Sequence, residues 1–218
     1  MSKEQIVASL DIGSSKIRTV IALLEAEKKM PNIIGVGVSP STGMRKGNII
    51  DVDETISNIS AALEDAERMS GAPVHHVFVG LNGHHIESFD SKGVIAISHA
   101  GSEIIEDDIN RVLEAAQAVS MPSNRRILRI IPKSFSVDDQ KGIKNPVGMI
   151  GVRLEVDAHI ITGQGTIIKN IEKAVHQAGV DIDDVVPSSL AAAEAVLSRR
   201  QKELGVVVID VGCGSTSI

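Results

Sequence analysis

Two segments near opposite ends of the sequence repeat one arrangement of residues that suits phosphate chemistry. In each, an apolar stretch ends in an aspartate, and glycine and hydroxyl residues follow before the apolar pattern resumes. The first segment offers Asp11, Gly13, Ser14, Ser15 and Lys16. The second offers Asp210, Gly212, Gly214, Ser215 and Thr216. The pattern predicts two β-hairpins whose turn amides and hydroxyls form anion-binding concavities, and two such turns could face each other across a phosphate group.

The first turn taken alone is also typical of an ordinary hairpin, because Asp-x-Gly-Ser turns are common in β proteins. Its repetition at Asp210 favours the phosphate site. Gly13 is expected to adopt a positive φ angle, which a turn this tight usually requires. If the second turn also needs a positive φ, the Cβ of Cys213 would alter its backbone.

The composition is that of an ordinary globular chain of one or two domains with an aliphatic core. Of 218 residues, 43% are hydrophobic and 23% charged, with three Phe and neither Trp nor Tyr. Ile, Val, Leu and Ala must therefore fill the core, which suits sheets covered by helices. The net charge of −6 without a basic block argues against a nucleic-acid partner. The single cysteine, Cys213, excludes an internal disulfide and fits a reducing cytosol.

The elements that must position the two hairpins follow an α/β pattern. Apolar runs predict strands over residues 5–10, 16–24, 31–38 and 74–81. Between the third and fourth strands we expect a loop over 39–47 and then a helix that Asp51 or Asp53 caps and Gly71 ends. The pattern resumes late in the chain with these expected elements: a helix opened by residues 163–166 and capped at Gly179, a strand over 184–186, a helix over 188–198 with Pro187 at its first position, and a charged linker over 199–204.

Residues 83–162 interrupt that pattern and are interpreted as an insertion. We expect a hairpin in which residues 86–89 and 94–97 flank the turn-like sequence of residues 90–93. The other expected elements are a helix over 106–120, a strand over 126–137 with an edge or bulge at Pro132, a polar loop over 138–148 and a strand over 153–162.

With both turns and the insertion placed, the chain resembles the actin-like ATPase superfamily and, within it, the FtsA family of bacterial cell-division proteins. The stretches that carry this resemblance are residues 11–16, 75–86, 130–138, 145–155 and the helix over 187–197. The position of the insertion discriminates within the superfamily. Actin and the heat-shock chaperones insert a subdomain before the first helix, where this chain has only the loop over 39–52. FtsA-like proteins carry their subdomain 1C after the fourth strand, as here.

The resemblance implies an α/β, actin-like (ribonuclease H-like) lobe with an inserted β/α subdomain of the 1C type. Residues 1–82 and 163–204 would form subdomain 1A, and residues 83–162 subdomain 1C. Residues 205–218 would begin the second lobe. The sequence stops at Ile218 inside a strand, so we expect a fragment of a longer protein, with the adenine pocket beyond it.

The resemblance also implies ATP and Mg²⁺ as cofactors, bound by the residues of the two turns. Asp11 and Asp210 would hold Mg²⁺ through water, because a bare carboxylate repels phosphate. Lys16 could neutralise phosphate charge. Glu194 is the nearest candidate for a catalytic general base, although it is better explained as a charged residue on the solvent-facing side of a helix. The family commonly has glycine at Cys213 and aspartate at Ser217, so hydrolysis is at most that of a weak Mg²⁺-dependent ATPase.

The function implied is that of an ATP-binding cytoskeletal protein that polymerises through residues 83–162. It would link the ring of the tubulin-like protein FtsZ to the cytoplasmic face of the membrane at the division site and recruit later division proteins. In the family, the helix that binds the membrane is at the C-terminus, and this sequence does not include it. The alternatives are a pilus-assembly-type adaptor of the same fold and a phosphotransferase such as a sugar kinase.

Overall fold

The computed structural model describes residues 5–25, 30–97, 103–118 and 121–218. Its elements in chain order are β1 (Gln5–Ile12), β2 (Lys16–Leu24), β3 (Asn32–Pro40), β4 (Met44–Arg45), β5 (Asn48–Ile49), α1 (Val52–Ser70), β6 (His76–Leu81), β7 (Glu87–Ala96), α2 (Glu106–Gln117), β8 (Arg125–Val137), β9 (Gln140–Ile143), β10 (Arg153–Gln164), α3 (Gly165–Gln177), β11 (Asp181–Pro187), α4 (Ser188–Val196), α5 (Arg199–Leu204), β12 (Asp210–Val211) and β13 (Thr216–Ser217). The chain divides into two compact units, residues 1–86 with 166–218 and residues 87–165.

The first unit is built on a five-stranded sheet in the order β11-β6-β1-β2-β3. β1 pairs antiparallel with β2 and parallel with β6, so β1 lies at the centre of the sheet. α1 packs against β3 and β2. This approach is close because the strand has glycine at the contact: a Cβ on Gly37 would lie 1.9 Å from the carbonyl oxygen of Ala62. The strands and helix predicted for this half are confirmed within a few residues.

The ends of α1 follow the predicted signals. The side chain of Asp51 accepts a hydrogen bond from the amide of Glu54 at 3.0 Å, which satisfies an amide that the helix itself leaves unpaired. Gly71 closes the helix with a φ angle of 70°. Gly179, which follows α3, also has a positive φ, of 94°. These glycine positions were predictable because a left-handed residue at a helix end favours glycine.

Three expectations for the first unit are wrong. Pro187 ends β11 and precedes α4 instead of opening it. Residues 199–204 form a helix, α5, and Ser198 is its N-cap residue, so they are not a linker. The apolar stretch before Asp210 is not a full strand: only Asp210–Val211 is a strand there, and residues 206–209 show no strand pairing within the described part of the chain. The loop over 39–47 also contains β4, which pairs with β5.

The second unit is an antiparallel sheet in the order β7-β10-β8-β9 with α2 packed on one face. The buried residues of this unit come from the sheet, from α2 and from the segment that enters α2. They are Ile97, Ile104, Val112, Ala116, Phe135, Val137, Leu154, Val156 and Ala158. The expected helix over 106–120 is described as far as Ala118, and its last two residues lie outside the described residues.

The hairpin expected between residues 86 and 97 is wrong, because β7 is one continuous strand. The small residues that suggested a turn, Ser91 and Gly93, are instead the residues at which β7 contacts α2. The Ser91 hydroxyl donates to the carbonyl oxygen of Ala116 at 2.8 Å. A Cβ on Gly93 would lie only 2.1 Å from the carbonyl oxygen of Val112, so glycine is needed for the approach of the helix.

The bulge expected at Pro132 is confirmed. Along β10, Asp157 pairs with Ser134 while the next residue, Ala158, pairs with Pro132, so Lys133 is an extra residue in β8. The proline therefore lies where the ladder is already irregular. The polar loop expected over 138–148 contains β9, which pairs with the end of β8.

Candidate functional site

The two hairpins predicted from the sequence have the same turn. In the first, the amide of Gly13 donates to the carbonyl oxygen of Lys16 at 3.2 Å. In the second, the amide of Gly212 donates to the carbonyl oxygen of Ser215 at 2.9 Å. Each turn thus spans four residues and is closed by its first and last members.

The residues that flank the two turns correspond in register. Asp11 lies opposite Arg18 on the first hairpin. Asp210 lies opposite Ser217 on the second. Each aspartate therefore stands two residues before its turn, with its partner two residues after it. The hairpins differ in the chemistry of that partner, which is a cation in one and a hydroxyl in the other.

The expectation of a positive φ at Gly13 is wrong. Neither Gly13 nor Cys213 has a positive φ angle. Gly13 is instead required by space, because a Cβ there would lie 2.8 Å from the carbonyl oxygen of Lys16. A Cβ on Gly212 would lie 3.1 Å from the carbonyl oxygen of Ser215. The backbone of the second turn therefore accepts Cys213 without strain.

Both hairpins line one cavity of about 630 Å³, together with residues of β6 and α4. Nine of the ten residues predicted for the site are in its lining: Asp11, Gly13, Ser14, Ser15, Lys16, Asp210, Gly212, Gly214 and Ser215. The tenth, Thr216, lies in β13 and does not line the cavity. The cavity belongs to the first unit.

The second hairpin lies directly against the first. A Cβ on Gly214 would lie 2.7 Å from the Ser14 Oγ and 2.9 Å from the Cα of Lys46. The Ser14 hydroxyl in turn accepts a hydrogen bond from the amide of Gly47 at 3.0 Å. Any side chain at residue 214 would push the two turns apart.

Asp11 is held by two neighbours. The Ser188 hydroxyl, at the start of α4, donates to Oδ1 at 3.0 Å, and Arg18 Nη1 lies 3.4 Å from Oδ2. Gly80 on β6 permits this contact, because a Cβ there would lie 2.9 Å from the Ser188 Oγ. Asp11 is thus fixed by groups from two neighbouring elements.

Asp210 is held by Asn82, which follows β6. Asn82 Nδ2 donates to Oδ2 of Asp210 at 3.1 Å. Asn82 Oδ1 accepts from the Ser217 hydroxyl at 2.7 Å and from the amide of Gly83 at 3.0 Å. One amide side chain therefore contacts both strands of the second hairpin.

The sequence has many close relatives among curated proteins. It is 45% identical to the cell division protein FtsA of Bacillus subtilis over all 218 residues, 43% to that of Borreliella burgdorferi over all 218 residues, and 36% to that of Escherichia coli K12 over 98% of the chain. Residues 83–162 match the family described as the SHS2 domain inserted in FTSA. The chain belongs to the FtsA family. It spans about half the length of these relatives, from 49% to 52%.

A solved structure supports the actin-like fold that goes with this family. The chain superposes on the PilM-PilN type IV pilus biogenesis complex with a TM-score of 0.62 at 12% identity, over 90% of this chain and 52% of the other. At that identity the likeness concerns the fold alone. The expected α/β, actin-like architecture with an inserted subdomain is confirmed.

In this FtsA-family chain the cavity has the groups that a metal-bound polyphosphate needs. Two cations, Lys16 and Arg18, and two carboxylates, Asp11 and Asp210, are in its lining. Turn amides supply uncharged donors for phosphate oxygens. Carboxylates that face phosphate fit only with a divalent cation and water between them. The set therefore fits Mg²⁺-nucleotide better than nucleotide alone.

Sequence reasoning missed three residues of the site. Arg18 could have been found from the alternation of a strand, since it lies directly opposite Asp11. Asn82 follows β6, and the carboxyl ends of strands are where α/β folds commonly bind ligands. Ser188 has no local signal, because its contact with Asp11 joins residues 177 positions apart.

Glu194 lies away from the site. It is not in the lining of the cavity, and its carboxylate pairs with Lys202 instead. The described residues contain no group of three or more His, Cys, Asp or Glu placed to hold a metal ion. Among those same residues, no helix combines the length and the apolar character needed to cross a membrane.

A separate polar cluster lies on the sheet of the second unit. His159 Nδ1 lies 2.7 Å from Asp90 Oδ1, and Lys133 Nζ lies 2.9 Å from Asp90 Oδ2. The hydrogen bond from His159 and then that from Lys133 hold the pKa of Asp90 below its usual value. Lys92 pairs with Asp157 at 3.1 Å nearby. Opposite charges are matched within this cluster, so it offers no excess charge to a ligand.

Proposed function

We propose that this chain provides the phosphate-binding and self-associating part of an FtsA-type protein of bacterial cell division. The observation that supports it most is the pair of hairpins, which have the same turn and each present an aspartate to one cavity. Two turns of that kind clamp a chain of phosphates from opposite sides. The curated relatives carry the name of a cell division protein, which sets the biological context.

In the proposed complex, the amides of Ser14 and Ser15 and those of Cys213 and Gly214 donate to phosphate oxygens of ATP, because the amides of Gly13 and Gly212 already close their own turns. Arg18 and Lys16 neutralise part of the phosphate charge. Asp11 and Asp210 hold Mg²⁺ through its water ligands, and the bound ion supplies the positive charge that lets carboxylates and phosphates share one cavity. Thr216 supports the turn from β13.

We propose that residues 1–82 and 163–204 form subdomain 1A, residues 83–162 subdomain 1C and residues 205–218 the start of the second lobe. Self-association into filaments would use subdomain 1C. The whole protein would sit on the cytoplasmic face of the membrane at the division site, attached through a C-terminal helix, and would bind FtsZ and later division proteins. Nucleic acid is not a partner, since the net charge is −6.

The test of the nucleotide site is equilibrium binding of radiolabelled ATP to the full-length protein with and without Mg²⁺. Asp11→Ala should lower the affinity for Mg²⁺-ATP at least tenfold, because a charged group that orients the metal is lost. Asp139→Ala is the matched control, since this exposed aspartate lies in the other unit and should leave the affinity unchanged. Absent binding by the wild type, or binding unaffected by Asp11→Ala, contradicts the proposal.

The test of the division role is co-sedimentation of the full-length protein with FtsZ polymers and with anionic phospholipid vesicles. We expect it to pellet with both. A pilus-assembly-type adaptor, the alternative suggested by the shared fold, would pellet with neither. Retention of the FtsZ interaction without vesicle binding would contradict only the membrane attachment.

A further inference from the structure

Asn82 connects the end of β6 to the second hairpin through its side chain. Its side chain donates to Asp210 and accepts from Ser217, so it bonds to both strands of the second hairpin. It also accepts from the amide of Gly83, the next residue in its own chain segment. The residue itself lines the cavity.

These contacts fix which way the amide group points. The Ser217 hydroxyl and the Gly83 amide both donate hydrogen bonds to Oδ1 of Asn82. The Nδ2 group must then face Asp210, because a flipped amide would oppose donors to donors and an oxygen to a carboxylate. The orientation of the Asp210 carboxylate is in turn set by a donor that cannot ionise.

The first hairpin needs no such group. Asp11 is positioned by Ser188 and by the cation Arg18 on the paired strand. At the equivalent position on the second hairpin stands Ser217, whose hydroxyl is bonded to Asn82. Asn82 thus supplies to Asp210 the support that Arg18 and Ser188 give to Asp11.

We propose that Asn82 is the positioning residue for Asp210: it holds that carboxylate in the orientation that receives the water shell of a divalent cation bound with a nucleoside triphosphate. The inference rests on the proposed nucleotide site and deepens it. A carboxylate that is oriented in advance does not have to lose rotational freedom on binding, which makes the bound state more favourable. The effect should appear in the metal-dependent part of the affinity.

The experiment measures ATP affinity of the full-length protein in Mg²⁺ and in EDTA, for wild type and for Asn82→Asp. The substitution keeps the shape and the acceptor for Ser217 but replaces the donor to Asp210 with a carboxylate oxygen. Because the added carboxylate also repels phosphate, we expect the affinity in EDTA to fall about threefold. We expect the affinity gained from Mg²⁺ to fall about tenfold in addition. Asn58→Asp is the matched control, because this half-buried amide on α1 donates to Thr42 away from the cavity.

A second variant distinguishes two roles of Asn82: orienting the Asp210 carboxylate, and holding the second hairpin in place, which we call docking. The exchange Asn82→Asp with Asp210→Asn restores a donor and an acceptor between the two residues but moves the carboxylate. Asn82→Asp should speed alkylation of the exposed Cys213 thiol, which reports how firmly the second hairpin is held against the first. We expect the exchanged pair to return that rate to the wild-type value but not to restore the affinity gained from Mg²⁺.

Each other result overturns the inference. Equal losses in Mg²⁺ and EDTA for Asn82→Asp mean that Asn82 only docks the hairpin. Recovery of the Mg²⁺ gain by the exchanged pair means that the position of the carboxylate is unimportant. Wild-type protein that binds no ATP overturns the proposed function as well, whereas normal Mg²⁺-ATP binding by Asn82→Asp overturns this inference alone.

Discussion

The two hairpins have the same turn but differ in what holds them in place. The first belongs to strands that share eight residue pairs at the centre of a five-stranded sheet, and Leu10 and Ile17 beside its turn are fully buried. The second has two residue pairs in a sheet of its own, and Val211 beside its turn is 75% exposed. One wall of the cavity is therefore part of the core, and the other is held by polar contacts and by the close fit at Gly214.

Turn geometry and local stability are therefore separate properties within one site. The same hydrogen-bonded loop forms whether or not a core supports it, because the fit of Gly13 or Gly212 over the closing carbonyl is local. Local stability, however, follows buried apolar contacts and ladder hydrogen bonds. We expect the first hairpin to resist local unfolding more strongly than the second, which depends on the contacts of Asn82 and on the fit at Gly214.

The largest expected contrast comes from adding a methyl group to each turn. Gly13→Ala places a Cβ against the carbonyl of Lys16 inside the main sheet and should lower the free energy of unfolding by about 1–3 kcal/mol. Gly212→Ala makes the same change in the second turn and should cost less than about 0.5 kcal/mol, because that hairpin contributes little burial. Urea unfolding of the 218-residue chain, followed by far-ultraviolet circular dichroism, measures both.

In the full-length protein both alanine variants should weaken Mg²⁺-ATP binding, since both turns would be distorted where their amides face the cavity. The comparison breaks if Gly212→Ala destabilises the chain as much as Gly13→Ala does. That result would mean that the second hairpin is part of the cooperative core.

A smaller effect is expected from Ser188→Ala, which removes one of the two supports of Asp11. Arg18 still pairs with the carboxylate, so Mg²⁺-ATP affinity should fall only about fivefold, as for the loss of one hydrogen bond to a charged group. Ser189→Ala is the control, because this neighbouring hydroxyl residue does not line the cavity. A loss as large as that of Asp11→Ala would show that Ser188 is indispensable and that the supports of Asp11 are not redundant.

The smallest expected effect is on the reactivity of Cys213 in the second turn. Its thiol is exposed and the residue lines the cavity. Saturating Mg²⁺-ATP should slow alkylation by iodoacetamide about threefold, since a ligand that closes on the turn shields the sulfur. Mass spectrometry of the modified peptide follows the rate. Unchanged alkylation at saturation would place the bound nucleotide away from the second hairpin.

The chemistry-bearing residues were largely predictable because the hairpin signal is local and occurs twice. An aspartate, a glycine and hydroxyls within a few residues identify a turn whatever surrounds it, and nine of the ten predicted positions line one cavity. The helix ends at Asp51 and Gly71 were predictable for the same reason. The conformation of Gly13 was not, since glycine serves both for positive φ and for lack of space, and the sequence does not distinguish the two.

Two of the failures involve partners distant in sequence. Ser91 and Gly93 read as a turn, yet they are strand residues that face α2 about twenty residues later. The position of Asn82 after β6 could have drawn attention to it, but nothing local predicts its contact with Asp210, which is 128 positions away. Local composition cannot reveal which helix crosses a strand or which amide meets a carboxylate.

Local sequence was enough to predict the two phosphate-type turns, the α/β order of elements and the insertion at residues 83–162, because each depends on residues close together in the chain. Folding was needed to bring both turns to one cavity and to give Asp11 and Asp210 different hydrogen-bond partners. Those outcomes depend on the central place of β1 in its sheet and on side chains such as Ser188 and Asn82, which packing brings to the carboxylates from far along the chain.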